Sequence, residues 1–156
     1  SLAQWLDAKL DHRARFELRE HLRDLLHHAD ARLVLLWAMD PDLKSTVLES
    51  AGDAEVIPDP RRIPYLRLTV PSRDIFIDDN NECHDAVTVK ISMGNSVPRL
   101  GLAIVGAEHR ASTMLFDAID ATERSIEGVL VVALERAEKQ ERRVSREKTR
   151  RGTIAG

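Results

Sequence analysis

At 156 residues, with 43% apolar, 31% charged and 4% aromatic residues, the chain has the composition of one globular domain with an aliphatic core. No apolar run approaches 18 residues, which excludes a membrane-spanning helix, and the single cysteine, Cys83, excludes an internal disulfide and a cysteine-rich zinc site. The net charge of −3 is unevenly spread: residues 136–151 hold eight Lys or Arg against three Glu, which leaves the rest of the chain at −8.

The N-terminus lacks a basic stretch followed by an apolar one, so no export signal is expected, and the lone cysteine suits a cytoplasmic protein. The first strong element is ELREHLRDLLHHA, where Leu18, Leu22, Leu25, Leu26 and Ala29 recur at helical spacing. Asp11 is a natural N-cap for it, so Leu2 to Leu10 form a separate lead-in helix or join the same helix through a bend. His12, His21, His27 and His28 lie in this region. His27 and His28 point about 100° apart on a helix, and His21 and His28 are seven residues apart, so they read as solvated rather than metal-binding.

Strands come next. ARLVLLWAMD is apolar on both faces, which predicts a central strand covered from both sides. DPD at 40–42 is turn chemistry and makes KSTVLES its hairpin partner. Residues 51–64 read as a loop because Gly52, Pro58, Pro60 and Pro64 interrupt regular structure. YLRLTV alternates, with Leu66, Leu68 and Val70 on one face, and IFI at 75–77 is a short strand before an acidic loop, DDNNECHD. AVTVKISM places Val87, Val89, Ile91 and Met93 on one face, GNSVPR turns, and LGLAIVG returns.

A long helix starting near Ser112 or Thr113 closes the chain. Leu115, Ile119, Thr122, Ile126, Val129, Ala133 and Ala137 form its apolar stripe, which Leu130 and Leu134 widen. Beyond Glu138 only Val144 continues it, so the helix past about residue 140 needs a partner to stay ordered. The order of elements predicts an α+β fold: an antiparallel sheet of five or six strands with the N- and C-terminal helices packed on one face. Residues 1–140 would form the domain and 141–156 a charged helical linker or tail.

VTVKISMGNSVPRLGLAIVG followed by LFDAIDATERSIEGVLVVALERAEK resembles the last strand pair and terminal helix of GAF domains, with ALERA at 133–137 in place of that family's closing ALxxA run. The N-terminal helix, LVLLWAM and IFIDD fall where a GAF domain has its corresponding elements; PAS-like domains share the same helix-flanked antiparallel sheet. Two features depart from the pattern. KISMG lacks the proline that usually closes the penultimate strand, and the segment between IFIDD and AVTV is too short for the helix of many ligand-binding relatives, which argues against a large pocket.

The resemblance implies a non-catalytic sensory or regulatory domain of a bacterial signalling protein. Such domains form homodimers through their terminal helices, here Ile119, Ile126, Leu130 and Leu134, and relay a signal to an attached kinase, cyclase, phosphodiesterase or transcription factor. A small-molecule ligand would meet Tyr65, Phe76, Cys83, His84 and Met93. No cofactor is required by the sequence.

Asp78, Asp79, Glu82, Cys83, His84 and Asp85 could donate to a metal, but their spacing fits neither an EF-hand nor a zinc pattern, so no metal is assigned. Cys83 followed by His84 is similar to the bilin anchor of phytochrome-like GAF domains. However, Phe76 stands where a proline is needed in SRDIF, and only six residues separate Phe76 from Cys83. A haem would need His84 or His109. A methionine sulfoxide reductase of GAF type would use Cys83 but lacks a resolving cysteine. No G-x-S-x-G elbow or phosphate-binding glycine loop occurs. The basic run at 136–151 has no interleaved aromatic or glycine and reads as a solvated helix rather than a nucleic-acid contact.

Overall fold

A computed structural model of the chain describes residues 1–42, 45–53, 72–77, 83–91, 99–107 and 113–155. The described elements are α1 (Leu2–Lys9), α2 (His12–Ala29), β1 (Leu33–Met39), β2 (Ser45–Gly52), β3 (Ser72–Ile77), β4 (Cys83–Ile91), β5 (Arg99–Val105) and α3 (Thr113–Ala155). The strands form one sheet in the order β2-β1-β5-β4-β3, and every pairing is antiparallel. The fold is α+β, as the element order implied.

Local chemistry explains the helix limits. Asp11 caps α2 by accepting a hydrogen bond from the Ala14 amide at 2.8 Å, which makes α1 and α2 separate helices. Ser1 caps α1 in the same way, with its hydroxyl oxygen accepting from the Gln4 amide at 3.1 Å. Asp40, at the end of β1, accepts from the Ala3 amide at 2.8 Å and so ties the start of α1 to the sheet. α2 stops at Asp30, whose left-handed φ of 48° lets the Asp30 amide donate to the His27 carbonyl and the Ala31 amide to the Leu26 carbonyl.

The helices cover one face of the sheet. Leu6, Leu18, Leu22 and Leu25 from the first two helices, with Ile119, Ile126 and Leu130 from α3, meet Val34, Leu36, Leu100, Leu102 and Ile104 in one buried cluster. Alternate residues of β1 form the second face, where Leu33, Leu35, Trp37 and Met39 are buried with Val105 and Ala103. All seven residues of β1 are therefore buried, the property read from its unbroken apolar run.

β1 and β2 change register between Leu36 and Trp37, because Leu36 pairs with Glu49 while Trp37 pairs with Val47. Leu48 is the extra residue and is buried in the helix-side core. Its carbonyl accepts from Arg15 Nη1 at 2.9 Å, while Arg15 Nη2 donates to the Asp7 carbonyl and carboxylate at 2.7 and 2.8 Å. One guanidinium thus joins the bulge, α1 and α2.

Three sequence expectations shift. β3 begins at Ser72, so the polar residues Ser72–Asp74 belong to the strand rather than only IFI. Cys83, His84 and Asp85 belong to β4, not to the acidic loop, because they pair with Ile77, Phe76 and Ile75. β2 extends through Gly52, beyond the loop boundary expected at residue 51. The expected strand YLRLTV lies outside the described residues.

Candidate functional site

The most unusual chemistry on the sheet is at Trp37. Its side chain is fully buried, yet among the described residues the indole Nε1–H has no hydrogen-bond partner. The buried Ser45 Oγ has none among them either. The two residues share the second face: Trp37 pairs with Val47, and Ser45, two residues earlier on β2, pairs with Met39. Diagonal neighbours of this kind stand roughly 7–8 Å apart. An unsatisfied buried polar group costs about 1–3 kcal/mol, so two side by side on an apolar surface call for an explanation.

Gly101 makes room for the indole. It is the cross-strand partner of Trp37, and a Cβ there would lie 2.4 Å from Trp37 Cζ2 and 2.6 Å from Cε2. The ring therefore lies across β5 above a residue with no side chain. Trp37 and its neighbours on this face are buried, so the N–H donor and the hydroxyl lie within an apolar layer rather than on an open surface. An enclosed apolar molecule carrying a hydrogen-bond acceptor would satisfy the indole N–H.

The residues expected to meet a ligand are elsewhere or undescribed. Tyr65 and Met93 lie outside the described residues. Phe76 and His84 are Cα partners in the β3–β4 hairpin, next to the Ile77–Cys83 pair. That hairpin is remote from Trp37. The row through Trp37 and Gly101 continues to Lys90, and His84 lies six residues further along β4, roughly 20 Å at the strand rise. Among the described residues no group of three His, Cys, Asp or Glu side chains is placed to hold a metal. His12, His27 and His28 are exposed and His21 is half-buried.

A second notable region is where α3 leaves the body. Ile119, Ile126 and Leu130 are fully buried within this chain and Leu134 packs against the same core. These side chains are therefore engaged inside the domain. Among the described side chains of α3, the exposed large apolar residues are Met114, Val131, Val132 and Val144. At the exit, Arg136 Nε and Nη2 donate to the two Asp11 carboxylate oxygens at 2.8 and 2.9 Å, and Lys9 is ion-paired with Glu141. The hydrogen bonds from Arg136 and from the Ala14 amide, opposed by partial burial, lower the Asp11 pKa from 3.8 to about 2. From Glu138 to Gly152 every residue is exposed, so about 22 Å of helix projects from the core. No helix among the described residues is long and apolar enough to cross a membrane.

Comparison with solved structures supports one fold. The GAF-B domain of DevS from Mycobacterium smegmatis superposes with a TM-score of 0.50 at 18% identity, covering 83% of this chain and 98% of that one. The GAF domain of a putative sensor histidine kinase from Pseudomonas syringae pv. tomato gives 0.51 at 12% identity, covering 93% and 88%. The green-light-absorbing state of NpR6012g4, a red/green cyanobacteriochrome, gives 0.52 at 8% identity, covering 82% and 98%. No protein-family model and no curated protein matches the sequence. With its helix-backed antiparallel sheet, its adjacent first and last strands and these superpositions, the chain is a GAF-like domain by fold.

Proposed function

We infer that the chain is a non-catalytic sensory or regulatory domain that passes a signal along α3 to an attached effector. The observation that carries this reading is the double character of α3. One unbroken helix contributes to the core from Leu115 to Ala133 and is exposed at every residue from Glu138 to Gly152. A segment with nothing of its own to bury is marginal as an isolated helix and suits a connection to something else. The GAF domain of the sensor histidine kinase has the same fold and belongs to a protein of that class. A kinase, cyclase, phosphodiesterase or transcription factor is the effector class proposed here, and the domain boundary falls near residue 140.

The input would be a small apolar molecule with a hydrogen-bond acceptor, held at the second face by Trp37 and Ser45. Its differential binding would shift the population of α3 arrangements. The domain would act as a cytoplasmic homodimer. Pairing would use the solvent side of α3 at Val131 and Val132 and the projecting segment around Val144, because the inner stripe is engaged with the sheet.

Sedimentation of the full chain and of a chain ending at Gln140, at equal concentration, tests the pairing. The reading expects a dimer that weakens on truncation. Equal masses for the two would overturn the assignment of α3 as the pairing and output element.

A further inference from the structure

The cleft beside the α3 exit carries chemistry that the sensory reading does not use. It has a volume of about 430 Å³ and is lined by Lys9, Asp11, Arg136, Lys139, Gln140 and Arg143. Four cations surround a single carboxylate, and that carboxylate is already engaged by both Arg136 hydrogen bonds and by the Ala14 amide. Glu141 answers Lys9 at the margin. Lys139 and Arg143 have no ion-pair partner among the described residues, and the cleft is left cationic.

Arg146, Lys148 and Arg150 also have no ion-pair partner among the described residues, but they do not line the cleft. Nearby arginines on α3 do find carboxylates: Arg142 pairs with Glu138, and Arg151 with Glu147 at 3.3 Å. Lys139 and Arg143 are one helical turn apart, so they share the face that looks into the cleft. The cleft also adjoins the N-terminal turn of α2, the positive end of its dipole. Lysine offers a point charge, arginine a planar fork and Gln140 an amide, a set matched to phosphate oxygens.

We propose that this cleft binds a small anion of the oligophosphate class, with Lys139 and Arg143 as its principal ligands and Lys9 and Gln140 completing the seat. Such an anion would bridge the end of α1 to the departing helix. It would fix the first projecting turns of α3 to the body and so set how firmly the exit is held. This site shares no residue with the Trp37–Ser45 layer.

The test uses the full chain with sodium pyrophosphate as probe, by isothermal titration calorimetry at low salt and again at about 0.15 M salt, where exposed charges are screened within about 8 Å. The expected result is saturable binding of one pyrophosphate per chain that weakens at the higher salt. The double variant K139A/R143A should weaken it at least tenfold, and R146A/R150A, which removes charges from the same helix outside the cleft, less than about threefold, because only the cleft residues donate charge-assisted hydrogen bonds to the anion. Unchanged circular dichroism at 222 nm confirms that the variants keep their helices. Amide exchange provides a second readout, with pyrophosphate slowing residues 138–143 more than 146–151. A nucleotide triphosphate that binds as pyrophosphate does shows that phosphates alone are read; tighter binding shows that the seat extends to the nucleoside, and both support the site. Absence of saturable binding overturns the proposal. So does equal loss from the two double variants, or stronger binding of a duplex oligonucleotide that depends on Arg146 and Arg150, because the tail would then act as a general polyelectrolyte.

Discussion

Arg136 and Asp11 join two ends of the domain that are 125 residues apart, through two hydrogen bonds of 2.8 and 2.9 Å. Asp11 also caps α2, so a single carboxylate holds one helix start and one helix exit. This sharing predicts unequal mutations. D11A removes cap and ion pair together and should cost about 1–2 kcal/mol. R136A leaves the cap in place and should cost no more than about 1 kcal/mol. Urea unfolding of both variants measures the difference, and equal losses would show that the cap contributes little.

The same carboxylate sets an acid dependence. Its folded pKa of about 2 lies below the ordinary 3.8, so the charged form is favoured by folding. The associated stability is fully present above the unfolded value and is lost as pH falls from about 5 towards 2. Asp11 is 44% exposed, and screening holds the contribution to at most about 1 kcal/mol. Wild type should lose stability over this window more steeply than D11N. Parallel pH profiles would contradict the pairing.

Gly101 predicts a steric conflict. G101A would drive a methyl group into the Trp37 ring and should destabilise by about 1–3 kcal/mol. Replacing Trp37 by Leu should remove most of that penalty, so the double variant should be markedly less destabilised than the sum of the two single ones. Thermal unfolding of the four proteins gives the coupling directly.

Gly128 predicts the reverse. Among the described residues nothing lies within 4 Å of a Cβ built on it, and it sits inside α3. G128A should stabilise the domain by about 0.5–1 kcal/mol through helix propensity alone. A melting temperature below wild type would show that this face of α3 has a partner requiring close approach.

The sequence made some elements legible for local physical reasons. The run LVLLWAM leaves no polar side for water, and Asp11 precedes a helical stripe with the side chain a cap needs. The stripe from Leu115 to Ala133 announced which side of α3 meets the sheet. What stayed hidden depends on contacts with no local signature. The pairing of β1 with β5 joins residues far apart in sequence and puts Gly101 beneath Trp37. The polar residues Ser72–Asp74 and Cys83–Asp85 break apolar alternation and read as loop, yet their backbones complete a ladder with each other's strands. Arg136 looked like one more charge in a basic run, and only its approach to α2 distinguishes it from Arg146 or Arg150.

The continuity of α3 has a mechanical consequence. A helix is stiff along its axis, so while α3 stays helical a displacement of its buried half is passed to the exposed half. If Ile126 slid by an ångström in the core, or rolled by a fraction of a turn, the basic end would be carried with it, and the tether at Asp11 would act as the fulcrum of that lever.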